Sequence, residues 1–226
     1  MAVVKKHDFV EIEYTGRIKG ENSIFDTTNE KIAKENGLHD KDAEYAPAVI
    51  CIGENMLLKG LEEQMVGKET EKEYAFEVSH ENAFGKRDAK LIQLIPTSKF
   101  RQQNIQPIPG LQLNIDGVFG VVKTVSGGRC MVDFNHPLAG RDLVYNVKIN
   151  KIVEDIKEQL QSLLKAHLHI KDAEIILSNE GADIRLKNEI PTSAQEEFKK
   201  ITSRTVSAIK NVNFTIIKEK KGQENT

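Results

Sequence analysis

Hydrophobic and polar positions alternate with a period of two in several stretches, the pattern of a strand with one buried face. Val10, Ile12 and Tyr14 alternate with Glu11, Glu13 and Thr15, and Gly16 is expected to end this first strand. Residues 46–53 read as a second strand. Thr70, Lys72, Tyr74, Phe76 and Val78, set against Glu69, Glu71, Glu73, Ala75 and Glu77, read as a third with an acidic outer face. Residues 143–153 resume the same sheet. Elsewhere the period is that of a helix. Residues 28–38 predict one, with Ile32 and Ala33 apolar and Gly37 as its stop. Gly53 is expected to open another, in which Leu57, Leu58, Leu61 and Met65 fall on one side and Gly67 closes the end.

The middle of the chain has a pattern of its own. Residues 87–134 carry six Lys/Arg against three Asp, a basic stretch within a chain of net charge −2. Leu91, Ile92, Leu94 and Ile95 predict a strand, and residues 97–103 a short helix capped by Thr97 or Ser98. Pro107 and Pro109 exclude a helix next. The turn signals Asp116-Gly117 and Gly127-Gly128 separate three short alternating runs, which predicts a small antiparallel meander. After residue 153, Ile156, Leu160, Leu163 and Leu164 mark a helix. Strands at 173–177 and 182–186 follow around the turn Asn179-Glu180-Gly181. A helix from Ser193, with a capping box to Glu196, carries Phe198, Ile201, Val206 and Ile209. Val212, Phe214 and Ile216 give a last strand. This C-terminal part reads as an α+β unit with a core of its own, and the polar residues 218–226 are expected to fray.

Composition narrows the function classes. With 226 residues the chain has room for one large domain or two to three small ones. The near-neutral charge offers nothing for nucleic acid. Cys51 and Cys130 sit far apart in apolar alternating runs and read as buried, reduced thiols rather than a disulfide or metal pair. No signal-peptide core and no apolar run near about 18 residues is present, so the expectation is a cytoplasmic protein without a membrane partner. The sequence contains no Gly-x-Ser-x-Gly, no phosphate loop and no Cys-x-x-Cys. His167 and His169 would share one face of a strand. Two ligands are too few for structural zinc, so they read as surface residues at a linker. Asp26, beside Phe25 and without a partner nucleophile, reads as a hydrogen-bonding residue at a pocket rim rather than a general base.

One motif runs through the chain in two pieces: Tyr14-Thr15-Gly16, Phe25-Asp26-Thr27, Gly53 with Leu58-Lys59-Gly60-Leu61-Glu62, and Ala83-Phe84-Gly85, then Val144-Tyr145-Asn146-Val147 after a gap. In order and spacing it resembles the FK506-binding proteins, peptidyl-prolyl cis/trans isomerases. The insertion after Ala83-Phe84-Gly85-Lys86-Arg87-Asp88, with the return at Asn135-His136-Pro137-Leu138-Ala139-Gly140, resembles the SlyD-type branch, whose insert-in-flap domain binds unfolded chains. The C-terminal unit resembles the long-chain archaeal members in position and length. The resemblance implies an α+β fold with a curved antiparallel sheet around a short helix. It divides the chain into an isomerase domain at 1–86 and 135–153, a β-rich chaperone insert at 87–134 and a C-terminal α+β domain at 154–226. It places Tyr14, Phe25, Asp26, Leu57, Leu58, Leu61, Phe84, Leu138 and Tyr145 in the proline-binding cavity, with Leu61 on the floor where many relatives carry Trp. It gives Leu91, Ile92, Leu94, Ile95, Phe100, Val118 and Phe119 to client binding in the insert. One departure is Phe84, where the family usually has a Tyr hydroxyl for a substrate carbonyl.

The implied chemistry suits these residues. Rotation about an amide meets a barrier of roughly 18–20 kcal/mol because the C–N bond has partial double-bond character, and only X-Pro bonds populate cis appreciably. The twisted transition state separates less charge than the planar amide, so a dry apolar pocket favours it. No covalent step, cofactor or metal is expected. The expected partners are unfolded or proline-containing polypeptides, with the C-terminal helices offering a homodimer interface or a further client surface. The alternative is a non-catalytic holdase with a weakened pocket. A metallochaperone is disfavoured, because the tail holds no His or Cys.

Overall fold

The computed structural model describes residues 1–115, 117–179 and 181–217. Asp116 and Glu180, each part of an expected turn, and the tail from Lys218 lie outside the described residues. The chain opens with strands β1 (Phe9–Ile18) and β2 (Ile24–Thr27), helix α1 (Glu30–Glu35), β3 (Ala48–Cys51), helix α2 (Lys59–Met65) and β4 (Lys72–Val78). Next come β5 (Ile92–Pro96), α3 (Thr97–Gln102), β6 (Gln112–Ile115), β7 (Val118–Ser126) and β8 (Arg129–Asp133). It ends with β9 (Leu143–Ile152), α4 (Ile156–Leu168), β10 (Glu174–Leu177), β11 (Gly181–Leu186), α5 (Thr192–Thr205) and β12 (Asn211–Ile216). Two compact units result: Met1–Val78 joined with the chain from Leu143 onward, and Ser79–Asp142. The fold is α+β throughout.

In the first unit the strands run antiparallel in the order β2-β1-β9-β4, and β3 also pairs with β1. The register sets Gly16 opposite Tyr145, and Tyr145 opposite Phe76. Tyr14, Gly16, Tyr145, Val147 and Phe76 therefore share one face of the pleat. Helix α2 packs beside β4 and buries Leu61 and Met65 completely. Two expectations change here. Gly16 does not end β1, which continues to Ile18. Helix α2 starts at Lys59 rather than Gly53, because Gly53 and Asn55 have positive φ and the intervening loop is held by the Glu62 carboxylate.

The C-terminal elements keep no core to themselves. Leu160, Leu163 and Leu164 of α4, and Phe198 and Ile201 of α5, pack with Phe9, Cys51 and Val153 in one cluster. A three-stranded sheet, β10-β11-β12, covers them, antiparallel in its first pair and parallel in its second, with α5 as the crossover. Asp155 caps α4, accepting from Glu158 N at 2.9 Å. The capping box expected at Ser193 does not form. The Pro191 carbonyl accepts from Ala194 N and Gln195 N, so α5 begins earlier and Ser193 lies inside it. The two histidines are on no strand: His167 is in the last turn of α4, and His169 is its left-handed C-cap at φ 57°.

The second unit is a four-stranded antiparallel sheet in the order β5-β8-β7-β6. Its core is Phe100, Leu113, Val122, Cys130 and Val132. Neither Thr97 nor Ser98 caps α3; the Thr97 hydroxyl instead donates to Gly128 O at 3.0 Å. Pro96 is tolerated because β5 is an edge strand. Among the described residues no helix is long and apolar enough to cross a membrane.

Candidate active site

The site forms around Gly16, which pairs with Asp26 of β2 on one side and Tyr145 of β9 on the other. One residue further, Arg17 pairs with Ile24, so Phe25 is skipped. Strict alternation would send Phe25 and Asp26 to opposite faces of the sheet. The bulge re-aims them so that both serve one concavity. The Phe25 ring stands edge-on to Tyr145 with centroids 5.6 Å apart, and Tyr145 tilts against Tyr14 at 5.9 Å. The Tyr14 hydroxyl donates to Asp26 Oδ2 at 3.0 Å. Gly16 makes this possible: a Cβ there would lie 2.8 Å from Phe25 Cζ and 2.9 Å from Tyr145 Cε1.

The electrostatics follow from this packing. Burial, then the Asp26 charge, pushes both tyrosine pKa values well above the usual phenol range. Tyr14 and Tyr145 are thus neutral donors at any physiological pH. Asp26 is open to solvent on one side. Crowding by its neighbours still raises its pKa, against the lowering effect of hydrogen bonds from Tyr14 and the Thr27 N–H. The group is a hydrogen-bond acceptor with no nucleophile beside it.

A buried carboxylate fixes the leucine loop. Glu62 is 2% exposed, and its oxygens accept from Gly53 N at 2.8 Å and Leu57 N at 2.7 Å, with Asn55 N more weakly at 3.3 Å. Leu57 and Leu58 are half-buried on the loop and Leu61 is fully buried beneath. Sequence reading assigned no role to Glu62. Neighbouring Glu54, 4% exposed, receives Arg204 Nε at 2.9 Å, with His7 Nδ1 3.3 Å away. Burial would push the Glu54 carboxyl up, but the Arg204 guanidinium, helped by His7 and His167, holds it below the usual range. This ties α5 to the same loop. Cys51 lies nearby, its thiol pushed up to about 12 by burial and by the Glu54 and Glu62 charges, so it is unreactive.

Two hollows open on this surface. One, of about 410 Å³, is walled by Tyr14, Phe25, Asp26, Leu38, Tyr45 and Pro47. Tyr45 pins its loop, accepting from Asp40 N at 2.9 Å and donating to Leu38 O at 3.2 Å. The second, of about 670 Å³, runs between Leu57 and helix α4. Tyr45 and α4 line these hollows although neither belongs to the two-piece motif.

Comparison with known proteins identifies the family. A family model described as FKBP-type peptidyl-prolyl cis-trans isomerase matches residues 2–110, and one described as the FKBP26 IF domain matches 93–138. The short-type peptidyl-prolyl cis-trans isomerase of Methanocaldococcus jannaschii is 31% identical over 150 residues, 66% of this chain and 94% of that protein. The chain belongs to the FKBP-type peptidyl-prolyl cis-trans isomerase family. A probable FKBP-type 16 kDa isomerase of Pseudomonas fluorescens is 35% identical over 121 residues, 51% of this chain and 79% of the relative. The SlyD isomerase of Vibrio cholerae is 27% identical over 138 residues, 59% of this chain and 66% of its own. The chain is a SlyD-like FKBP with an insert-in-flap segment.

The remaining expected residues of this FKBP-type chain lie in the second unit. Phe84 is half-buried and stacks on His136, centroids 4.2 Å apart and planes 6° apart. Leu138 is half-buried, its N–H directed to His136 Nδ1 at 3.2 Å. Within the insert set, Leu91, Ile92, Leu94, Val118 and Phe119 are exposed, the last at 71%, whereas Ile95 is half-buried and Phe100 is 4% exposed in the core. The pairing puts Ile92 and Leu94 of β5, Met131 of β8 and Val121 and Phe119 of β7 on the face opposite that core.

Proposed function

We propose that this chain catalyses cis/trans exchange of X-Pro bonds in unfolded or partly folded polypeptides, and holds those clients on the outer face of its insert. The reading rests on one observation above all: the Phe25 bulge gathers an aromatic wall, the Tyr14 hydroxyl and the Asp26 carboxylate around one hollow, and apolar Leu57 lines the groove next to it. An apolar seat for a proline ring beside fixed polar groups is what a twisted, less polar amide needs. Of the nine residues assigned to the cavity, Tyr14, Phe25 and Asp26 wall one hollow and Leu57 the groove beside it, Tyr145 packs against Tyr14 and Phe25, and Leu58 and Leu61 join them on the family motif. Phe84 and Leu138 are likewise assigned on the family motif alone. Exposed Leu94 and Phe119 on a sheet face support the client-holding role of residues 87–134. Tethering raises a client's effective concentration near the pocket.

The test is refolding limited by a proline isomer, followed with the full chain in catalytic amount. Acceleration that scales with enzyme supports the reading, and an unchanged slow phase sinks it. The holdase reading draws on Phe84, which offers no hydroxyl and stacks on His136. Phe84→Tyr separates the two: a gain in turnover marks a weakened catalyst, and zero turnover in both forms a holdase. Free, buried cysteines support a reducing, cytoplasmic setting, and the near-neutral charge supports polypeptide over nucleic-acid partners. A homodimer through the C-terminal elements is read by light scattering on the full chain; a monomer at all concentrations removes it.

A further inference from the structure

The groove of about 670 Å³ beside the Tyr14–Asp26 hollow is bounded on one flank by Tyr14, Ala48 and Leu57 and on the other by Lys165 and Ala166 of α4. Tyr14, Pro47, Ala48 and Lys165 line both hollows, so the two spaces adjoin. We propose that this groove receives client residues flanking the isomerised proline, and that α4 selects for an apolar residue next to an acidic one. The proposal rests on the isomerase reading of the neighbouring hollow.

The floor and the rim point to different parts of such a client. Ile50 and Ile175 close the floor, while Ala48 and Ala166 are too short to fill the space above it. An aliphatic side chain fits that shape. At the rim stand Lys157 and Lys165, with Glu158 the one acid among the lining residues. Lys165 Nζ holds Glu44 at 2.6 Å, but the two side chains are 50% and 60% exposed. An ion pair so open to water contributes little, so a client carboxylate can take the place of Glu44 with little loss. Lys157 is exposed and adds a second positive charge. Rim charges of this kind set preference and encounter rate more than total affinity. The wall is also rigid. Leu160, Leu163 and Leu164 anchor the helix in the core, and Gln159 Nε2 donates to Val153 O at 2.7 Å.

The experiment compares kcat/KM for a short Leu-Pro tetrapeptide and for longer peptides carrying Leu-Glu or Leu-Lys beside it. The full chain, Ala166→Trp and Lys165→Glu are assayed in parallel. The expected result is a Leu-Glu preference over Leu-Lys of about fivefold to tenfold, expressed mainly in KM. Ala166→Trp should collapse the ratio of long to short peptide, and Lys165→Glu should reverse the charge preference. A full chain that turns over the tetrapeptide with no preference among the long peptides overturns the proposal, as does a Lys165→Glu form that still favours Leu-Glu. Should the full chain turn over no peptide, the isomerase reading itself is lost. Fluorescence anisotropy with the same labelled peptides then decides the groove alone: Leu-Glu binding weakened by Ala166→Trp supports it, and undiminished binding removes it. If Ala166→Trp does not fold, the charge reversal stands as the deciding measurement.

Discussion

Two glycines, one in each compact unit, occupy comparable positions in sheets that treat their apolar residues differently. A Cβ on Gly16 would strike Phe25 and Tyr145, and one on Gly120 would strike Phe134 at 2.7 Å and Val132 at 2.9 Å. Each glycine lets an aromatic ring lie directly on the backbone. In the first sheet the seated rings form a pocket wall, and α2 buries Leu61 and Met65 behind it. In the second, the aromatic helps close a core of five buried residues, and Leu94 and Phe119 on the opposite face stay in water. A module of this size has too little interior to cover every apolar side chain it carries. One sheet therefore spends its apolar residues on a defined cavity, and the other leaves them exposed, as the proposed client-holding role requires.

The comparison breaks first at the glycines. Gly16→Val should lower isomerase kcat/KM a hundredfold or more by displacing both rings, and destabilise the fold by about 2–3 kcal/mol. Gly120→Val should abolish suppression of client aggregation while turnover of a short peptide stays within about twofold. If both variants lose both activities, the two sheets do not act separately. Next in size, Phe25→Ala combined with Asp26→Ala should reduce turnover of any X-Pro peptide on the order of tenfold to a hundredfold. Client holding, read by light scattering of an aggregating substrate, should be unchanged. Leu94→Ser with Phe119→Ser should do the converse, cutting client holding severalfold. Their denaturant midpoint should shift by less than about 0.5 kcal/mol equivalent, because both side chains are already exposed.

The smallest effect concerns pH. Asp26 has a folded-state pKa above its unfolded value, so the fold favours its protonated form. The stabilising contribution is present below the ordinary aspartate value of about 4 and is lost as pH rises through the higher folded value. Asp26→Asn, which keeps a neutral side chain, should therefore raise Tm slightly at pH 7 and make no difference below about pH 4. A variant less stable than the parent at pH 7 would show that the carboxylate's hydrogen bonds outweigh its crowding. Since Asn accepts from Tyr14 less strongly, turnover should fall as stability rises.

Much of this was legible in the chain. Alternation located β1, β4 and β9 to within a few residues, and the two-piece motif picked out Tyr14, Phe25, Asp26 and Tyr145, which do meet. Other readings failed for identifiable reasons. Gly16 looks like a strand end because glycine usually punctuates, yet here it is a seat for two rings. Leu57 and Leu58 sit at helical spacing from Leu61 but lie on a loop, because Glu62 accepts backbone donors that a helix would otherwise use. Ser193 and Glu196 have capping-box spacing, but Pro191 had already started α5. Nothing local distinguishes Phe100, in the core, from Phe119, in water.

By itself, then, the sequence determined what depends on neighbours along the chain: strand and helix periods, the order of the motif, the basic insert and the family they indicate. Tertiary structure alone decided which residues share a space. The skipped pairing of Phe25 exists only in the register of β1 against β2, and α4 became a wall of the groove only by packing on β3. Periodicity reports which face of an element is apolar. What covers that face, or leaves it open for a client, is settled by contacts between residues far apart in the chain.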